Sequence, residues 1–511
     1  MTTEPTASPP WLVTVLTLDA LCGATVSGFG TPLIPEVART HGISLEAATW
    51  VLTVTLVVGA VTIPVVSRLG DSGRRRLVLV ATLGGIVCGS VLAAAWHTLP
   101  GLLAGRACQG LGYALVPLTI SLARQHLAGE RLRRTLALIS VSLAAGAGLA
   151  NPLIGLFVRY LDYRAGFAFG ALVTAVAVVC TLRVLPKARA QAQPLGVDVA
   201  GAVLLGLGLA CGLLAVSRGV SWGWTSAPVL LLGATAAVLL GWWLRVEWQH
   251  DRPLVDLRLA SSPALLGVNL TAFCTGVAVF GGMSLVYRVI QAPAAHHGLG
   301  QSLLVAGLLL LPMSVGSLLA PPLARAAAHR FGVRLVLPLG SVTVAASYAV
   351  FALAHHRGWQ ILVVTFLAGV GIGIAYSIMP AIIVARTPAE RTSSATGLNT
   401  VLRITGGAIG AAVIASVQAA RTPAGTAFPL EAGYVAAALV SVALCAVAAL
   451  VSVLFVRNAA ADEDLRVEDP DVSLLMREAV TDATGAPPAY GGSGPAAGSD
   501  GKLGRRERPG R

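Results

Sequence analysis

Long apolar runs separated by short polar loops set the pattern of this chain. Residues 51–66, 77–95, 136–149 and 200–216 each pass without an Asp, Glu, Lys or Arg. The runs continue through Gly, Ser and Thr and have neither the alternation of strands nor a one-sided polar stripe. A run of about 18 or more such residues is long enough to cross a bilayer as a helix. The pattern predicts an all-α membrane protein with fourteen spans: 11–34, 46–67, 77–96, 99–122, 135–158, 165–185, 197–217, 226–246, 264–287, 300–323, 334–354, 358–384, 394–419 and 432–456. Before them, residues 1–10 are polar and Pro-rich, unlike a cleaved signal peptide. After them, residues 457–511 turn acidic and then rich in Gly, Pro, Ala and Ser, and are expected to be a disordered tail.

Composition agrees with this picture: 12% of residues are charged and 55% hydrophobic, with a mean hydropathy of +0.78. The formal net charge of +13 changes the picture only through its placement. Arginines cluster in loops after even-numbered spans (Arg74–Arg75–Arg76, Arg131–Arg133–Arg134) and are sparse after odd-numbered ones. By the positive-inside rule this puts the even loops and both termini in the cytoplasm. It also argues against nucleic acid, since no basic domain interleaved with aromatics exists. The seven cysteines all fall in apolar runs, with no disulfide or zinc spacing. His296–His297 and His355–His356 lie in outer loops with no acid or Cys beside them in sequence, so no metal is assigned. Trp222 and Trp224 suit an interface belt. No GxxxxGK[ST], G-x-S-x-G or H-E-x-x-H occurs, which leaves no basis for an enzyme or an ATP-driven pump.

Three features recur in the same order along the chain: a Pro-to-Arg loop at 64–76 and 322–334, a Gly-rich stretch after LAG in spans 4 and 12, and a Gly-rich end to spans 5 and 13. The expected organisation is therefore an N-terminal segment 1–10, a six-helix bundle 11–190, two inserted helices and a linker 191–260, a second six-helix bundle 261–456, and the tail 457–511. Repeated halves flanking a central site are a mark of secondary transporters.

Ionisable residues inside a bilayer are functional hypotheses by default. Asp19 is the only carboxylate well inside an apolar run, and suits proton loading or attraction of a cation; packing against an Arg or a place in the cytoplasmic mouth are the alternatives. Arg106 and Gln109 share a helix face, beside Gly110 and Gly112, which admit a neighbouring backbone. Asn399, Arg403 and Gly407 line one face of span 13, either toward substrate or toward a neighbouring helix. Gly146, Gly148, Asn151, Pro152 and Gly155 make a thin, pliable stretch of span 5, a candidate hinge.

These residues resemble the major facilitator superfamily, in particular its fourteen-spanner drug:proton antiporter branch, over residues 11–456. Residues 68–76, RLGDSGRRR, look like the signature loop between helices 2 and 3, with a second-half copy at Arg330-Phe-Gly-Val-Arg334. Arg106-x-x-Gln109-Gly110-x-Gly112 matches the helix-4 motif, and Asn151-Pro152-Leu-Ile-Gly155 resembles the antiporter motif of helix 5. Residues 388–403 fit the same branch. The resemblance implies a major facilitator fold and proton-coupled efflux of small molecules by alternating access. Asp19 and Arg106 would couple protons. Gln109, Asn399 and Arg403 would line the substrate pathway. Asp71, Arg74, Arg75, Arg330 and Arg334 would form a cytoplasmic gate, and Gly148, Asn151, Pro152 and Gly155 the hinge. Gly23 stands where the branch usually has an acid, and spans 9 to 13 hold none, which points to neutral or anionic hydrophobic substrates. The expectation is a monomer in a bacterial inner membrane, powered by the proton gradient without a cofactor or metal. Import of a metabolite and a non-transporting membrane sensor are the rival readings.

Overall fold

The computed structural model describes residues 11–71, 74–185, 198–250, 253–423, 426 and 428–456. The segment 1–10, the stretch 186–197 and the tail 457–511 lie outside these, as does the side chain of Arg334. The described residues are all helical or in connections, with no strand. In chain order the helices are α1 (Leu12–Gly28), α2 (Gly30–His41), α3 (Leu45–Ala48), α4 (Trp50–Asp71), α5 (Arg75–Ala95), α6 (Leu99–Gln109), α7 (Leu115–His126), α8 (Gly129–Tyr160) and α9 (Tyr163–Val184). Then come α10 (Val199–Trp222), α11 (Ala227–Gln249), α12 (Leu257–Ala260), α13 (Pro263–Gln291), α14 (Leu303–Phe331), α15 (Val333–Leu353), α16 (Gly358–Arg386), α17 (Thr392–Ala419) and α18 (Glu431–Val456).

Among the described residues, twelve helices are long and apolar enough to cross a membrane. Two predicted spans are broken helices instead. The first divides at Phe29 into α1 and α2, and the second divides into α6 and α7 around a 3-10 turn, Gly110–Ala114. Several loops read from charge are in fact helical: Arg68 and Asp71 close α4, Glu130–Arg134 open α8, and Arg325–Arg330 extend α14. A charged turn costs nothing at a helix end that projects into water, so charge marks the membrane boundary and not the helix boundary.

One large apolar core is built mainly from α1–α9 with α10, and three smaller ones mainly from α13–α18. α13 packs on α17 and α18, α14 on α16, α1 on α8 and α9, and α5 on α9. The two groups meet along α8–α14 and α4–α17. α10 and α11 pack on each other, and α10 also lies on α4 and α17. Only 17% of the apolar window of α11 is buried, and Leu230, Leu231, Val238 and Trp242 point outward. In water such a face would be unstable; in lipid it is already solvated.

Candidate functional site

Arg106 is fully buried and lies at the centre of the first helix group. Its Nη1 donates to the Val26 carbonyl at 3.0 Å and to Gln109 Oε1 at 2.6 Å. Its Nη2 donates to the Ser27 carbonyl at 2.8 Å, and Nε to the Val51 carbonyl at 3.2 Å. The guanidinium carbon lies 6.0 Å from the Phe167 ring centroid. Among the described residues no carboxylate takes part. Instead the cation meets the Val26 and Ser27 carbonyls of the last turn of α1, and a positive charge at a helix C-terminus is favourable. The guanidinium lies beside the junction of α1 and α2, where Phe29 keeps helical dihedrals (φ −61°, ψ −14°) and donates to the Val26 carbonyl at 3.4 Å. A Cβ on Gly30 would sit 2.7 Å from Arg106 Nη2, so glycine is needed there.

Gln109 continues the network. Its Nε2 donates to Ser90 Oγ at 2.9 Å, and its carbonyl accepts from Ser27 Oγ at 2.7 Å. Thr55 Oγ1 donates to the Arg106 carbonyl at 3.1 Å. These bonds draw α1, α4 and α5 onto α6. The 3-10 turn that follows brings Gly110 against α4, where an added Cβ would lie 2.7 Å from the Thr55 carbonyl oxygen and 3.0 Å from the Gly59 nitrogen. Both are backbone atoms that cannot rotate away. Gly110→Ala is therefore expected to lower stability by about 1–3 kcal/mol, read as a lower melting temperature of the detergent-purified protein. An unchanged value would mean that the two helices are free to separate.

Asp19 is also buried, on α1, but faces elsewhere. Its Oδ2 accepts from Thr181 Oγ1 of α9 at 2.8 Å, and its Oδ1 has no hydrogen-bond partner among the described residues. Asp19 and Arg106 are not brought together. Arg106 grips α1 at Val26 and Ser27, about two turns, or roughly 10 Å, further along the helix.

In the second helix group, Asn399 and Arg403 lie on one face of α17, as their spacing predicts. Asn399 Nδ2 donates to Asn269 Oδ1 on α13 at 3.2 Å. The Arg403 guanidinium carbon lies 4.2 Å from the Tyr376 ring centroid, a cation–π contact made in a desolvated setting. Arg403 is buried, and its Nε and Nη1 have no hydrogen-bond partner among the described residues.

Asp71 joins the two groups. It is buried at the end of α4. Its Oδ1 accepts from the Ser393 backbone N–H at 2.9 Å, and Oδ2 from the Ser394 N–H at 2.9 Å and from Ser394 Oγ. Those amides belong to the first turn of α17, where N–H groups have no helical acceptor. Asp71 thus acts as an N-cap supplied by another helix, with its charge at the positive end of the dipole.

Two arginines flank this contact. Arg75 donates to the Gly70 and Ala389 carbonyls at 3.0 and 3.1 Å, and Arg124 Nη1 to the Thr387 carbonyl and Thr392 Oγ1, both at 2.6 Å. Arg74 is exposed at the α5 N-cap. Arg330 is exposed, with its guanidinium over its own neighbour Phe331 at 5.7 Å. The second-half ion pair comes instead from Arg325, whose Nη1 lies 3.2 Å from Glu130 Oε1. Sequence reading missed Arg124, Arg325, Glu130 and the serines 393 and 394. Ser393 and Ser394 left one legible signal, the Thr-Ser-Ser that opens α17.

The Gly-rich face of α8 meets α14. An added Cβ on Gly155 would lie 2.9 Å from Leu304 Cα, and one on Gly307 would lie 2.6 Å from the Pro152 nitrogen. Ser314 Oγ donates to the Ala145 carbonyl at 3.0 Å, beside Gly148. Asn151 Nδ2 bonds its own helix, at the Ala147 carbonyl, 3.1 Å. α8 runs unbroken through Pro152, so these residues form a seam between the two helix groups.

Comparison with known proteins fits this geometry. The chain is 28% identical over 397 residues to the multidrug resistance protein Stp of Mycobacterium tuberculosis, covering 76% of this chain and 72% of that one. It is 28% identical over 401 residues to the tetracenomycin C resistance and export protein of Streptomyces glaucescens, with 77% and 73% covered. It is 27% identical over 388 residues to the methyl viologen resistance protein SmvA of Salmonella typhimurium, with 74% and 76% covered. Among solved structures, the human organic anion transporter MFSD10 superposes with a TM-score of 0.58 at 16% identity, covering 87% of this chain and all of that one. That likeness concerns the fold alone. The sequence profile of the major facilitator superfamily matches residues 20–287 and 270–489, and the chain belongs to that family.

Proposed function

We propose that this protein exports small hydrophobic molecules across a bacterial inner membrane in exchange for protons. Resistance and export proteins matching three quarters of the chain support the direction of transport. The broken helices α1–α2 and α6–α7 would complete fourteen crossings, with both termini cytoplasmic as the arginine distribution requires. Residues 11–190 and 261–456 would rock as two bundles of one monomer along the α8–α14 seam. The Asp71 contact would close the cytoplasmic side, and Asn399 and Arg403 would face the pathway when it opens. The gradient supplies the energy, with no cofactor.

The observation that carries the coupling is Asp19, a buried carboxyl met by one hydroxyl and no cation among the described residues. A carboxyl so placed in a membrane is a proton-site candidate. Its charge state would set how α1 rests on α9, and Arg106, holding the far end of α1, would pass that change to α4 and α6. Inside-out vesicles with a respiration-driven pH gradient test this. A transported hydrophobic compound is expected to dissipate the gradient in wild type, and at least tenfold more slowly with Asp19→Asn. Wild-type proton release from the Asn variant would sink the assignment of Asp19. Absence of any compound-dependent release in wild type would sink proton-coupled export.

A further inference from the structure

A histidine cluster lies on the face opposite the Asp71 contact. α16 begins beside His355 and His356 and ends at Arg386, next to the Thr387 that Arg124 holds. A helix of 29 residues is about 43 Å long, more than the roughly 30 Å hydrocarbon layer. The cluster therefore projects into water on the far side. There the α15–α16 turn, the loop after α13 and the first residue of α18 converge. Glu431 Oε1 lies 3.3 Å from His356 Nε2, and Glu431 Oε2 lies 3.5 Å from His297 Nδ1. One ligand atom from each of His355, His356 and Glu431 can be chosen so that all lie within 4.8 Å of one another.

We propose that His355, His356, Glu431 and His297 bind a divalent transition metal of the zinc class. Tetrahedral zinc holds its N and O ligands at about 2.0–2.1 Å, which places ligand atoms roughly 3.4 Å from each other. The His356–Glu431 contact already matches that spacing, and His297 lies against the other carboxylate oxygen, within reach as a fourth ligand. His355 has the marks of a prepared ligand. It is 1% exposed. Its Nδ1 lies 2.9 Å from the Phe351 carbonyl oxygen, which accepts its proton; this is the outer-shell bond that fixes the tautomer in metal sites. The other nitrogen, Nε2, is buried with no hydrogen-bond partner among the described residues. An unsatisfied buried acceptor is costly, and a metal ion would satisfy it.

The chain segments carrying these ligands are far apart in sequence, so a bound ion would staple the outer ends of α13, α15, α16 and α18. The proposal does not depend on transport and is tested without it. The full chain, purified through a non-histidine tag, is incubated with Zn2+ alone, dialysed, and its metal content measured. About one zinc per chain is expected in wild type and in His296→Ala, whose ring stacks on Phe428. At least tenfold less is expected in Glu431→Gln and in His355→Ala. Variants that retain wild-type zinc, or a wild type that retains less than a tenth of an equivalent, overturn the site. Zinc-edge X-ray absorption of the wild type guards against misfolded variants. An imidazole-containing N/O shell supports the proposal, and a sulfur shell overturns it.

Discussion

Arg106→Ala is expected to abolish transport and to lower stability by about 2–4 kcal/mol. The magnitude follows from what the guanidinium holds. Three backbone carbonyls and the Gln109 side chain accept from it in the buried core. The Val26 and Val51 carbonyls keep the Phe29 N–H and the Thr55 hydroxyl as donors, so the loss falls on the Ser27 carbonyl and Gln109 Oε1, at about 1–3 kcal/mol for each buried acceptor left without a donor. Arg106→Lys separates charge from shape. An ammonium keeps the charge but offers three donors from a single point, where the planar fork serves four acceptors in different directions. The expected result is a folded protein with transport reduced at least tenfold. Thermal unfolding and vesicle transport on the same preparations check both parts. If the Lys variant transports at the wild-type rate, the charge alone matters and the cap on α1 is incidental. A variant lacking Gln109's side chain should fall between the two, because Arg106 then loses one acceptor and keeps three.

The second large effect belongs to Asp71. Asp71→Asn is expected to weaken the contact between α4 and α17 by about 3 kcal/mol, nearly as much as Asp71→Ala. The two carboxylate oxygens face two backbone N–H groups. An amide can present only one oxygen, and its NH2 would meet a second donor. Hydrogen bonds to a charged group contribute about 1.5–3 kcal/mol, and the loss of a negative charge from a helix N-terminus adds about 0.3–1 kcal/mol. Three kcal/mol shifts a two-state equilibrium roughly a hundredfold. Ser67 is fully buried against Gly397 beside this contact. A Ser67→Cys reporter, in a background cleared of the seven native cysteines, should react with a water-soluble thiol reagent about a hundredfold faster when Asp71 is Asn. An unchanged rate would mean that Asp71 does not hold the two helix groups together. The nearby Arg325–Glu130 pair is partly exposed on both sides. Its loss is expected to change stability by only about 0–1 kcal/mol, because water and salt screen it.

How much of this was legible in the sequence depends on the kind of partner each residue has. The helices were legible because lipid offers the backbone no hydrogen bonds, so an apolar run must satisfy its own amides and can do so only as a helix. The family resemblance was legible in the Arg106-x-x-Gln109-Gly110 spacing, since close helix approach demands glycine and leaves a visible pattern. The face shared by Asn399 and Arg403 followed from helical periodicity alone. The breaks at Phe29 and Gly110 were not legible. A broken helix keeps the same apolar composition, so nothing in the pattern of apolar residues marks where it divides.

The remaining partners were set by tertiary structure. The charge of Asp71 suggested an ionic latch with neighbouring arginines, but its acceptors are filled by backbone amides 322 and 323 residues away. Every residue carries an amide, so no residue type announces that contact. Asp19 announced itself as a buried acid, yet only packing showed that it meets Thr181 and not Arg106. The paired histidines lacked an acid in sequence, and α18 brings them Glu431. By itself the sequence determined that the chain is a helical membrane protein of this family and where its costly residues lie, because solvent preference acts on each segment alone. The tertiary structure decided which groups satisfy those residues, because buried charge is met by whatever donor or acceptor the packing of distant helices delivers.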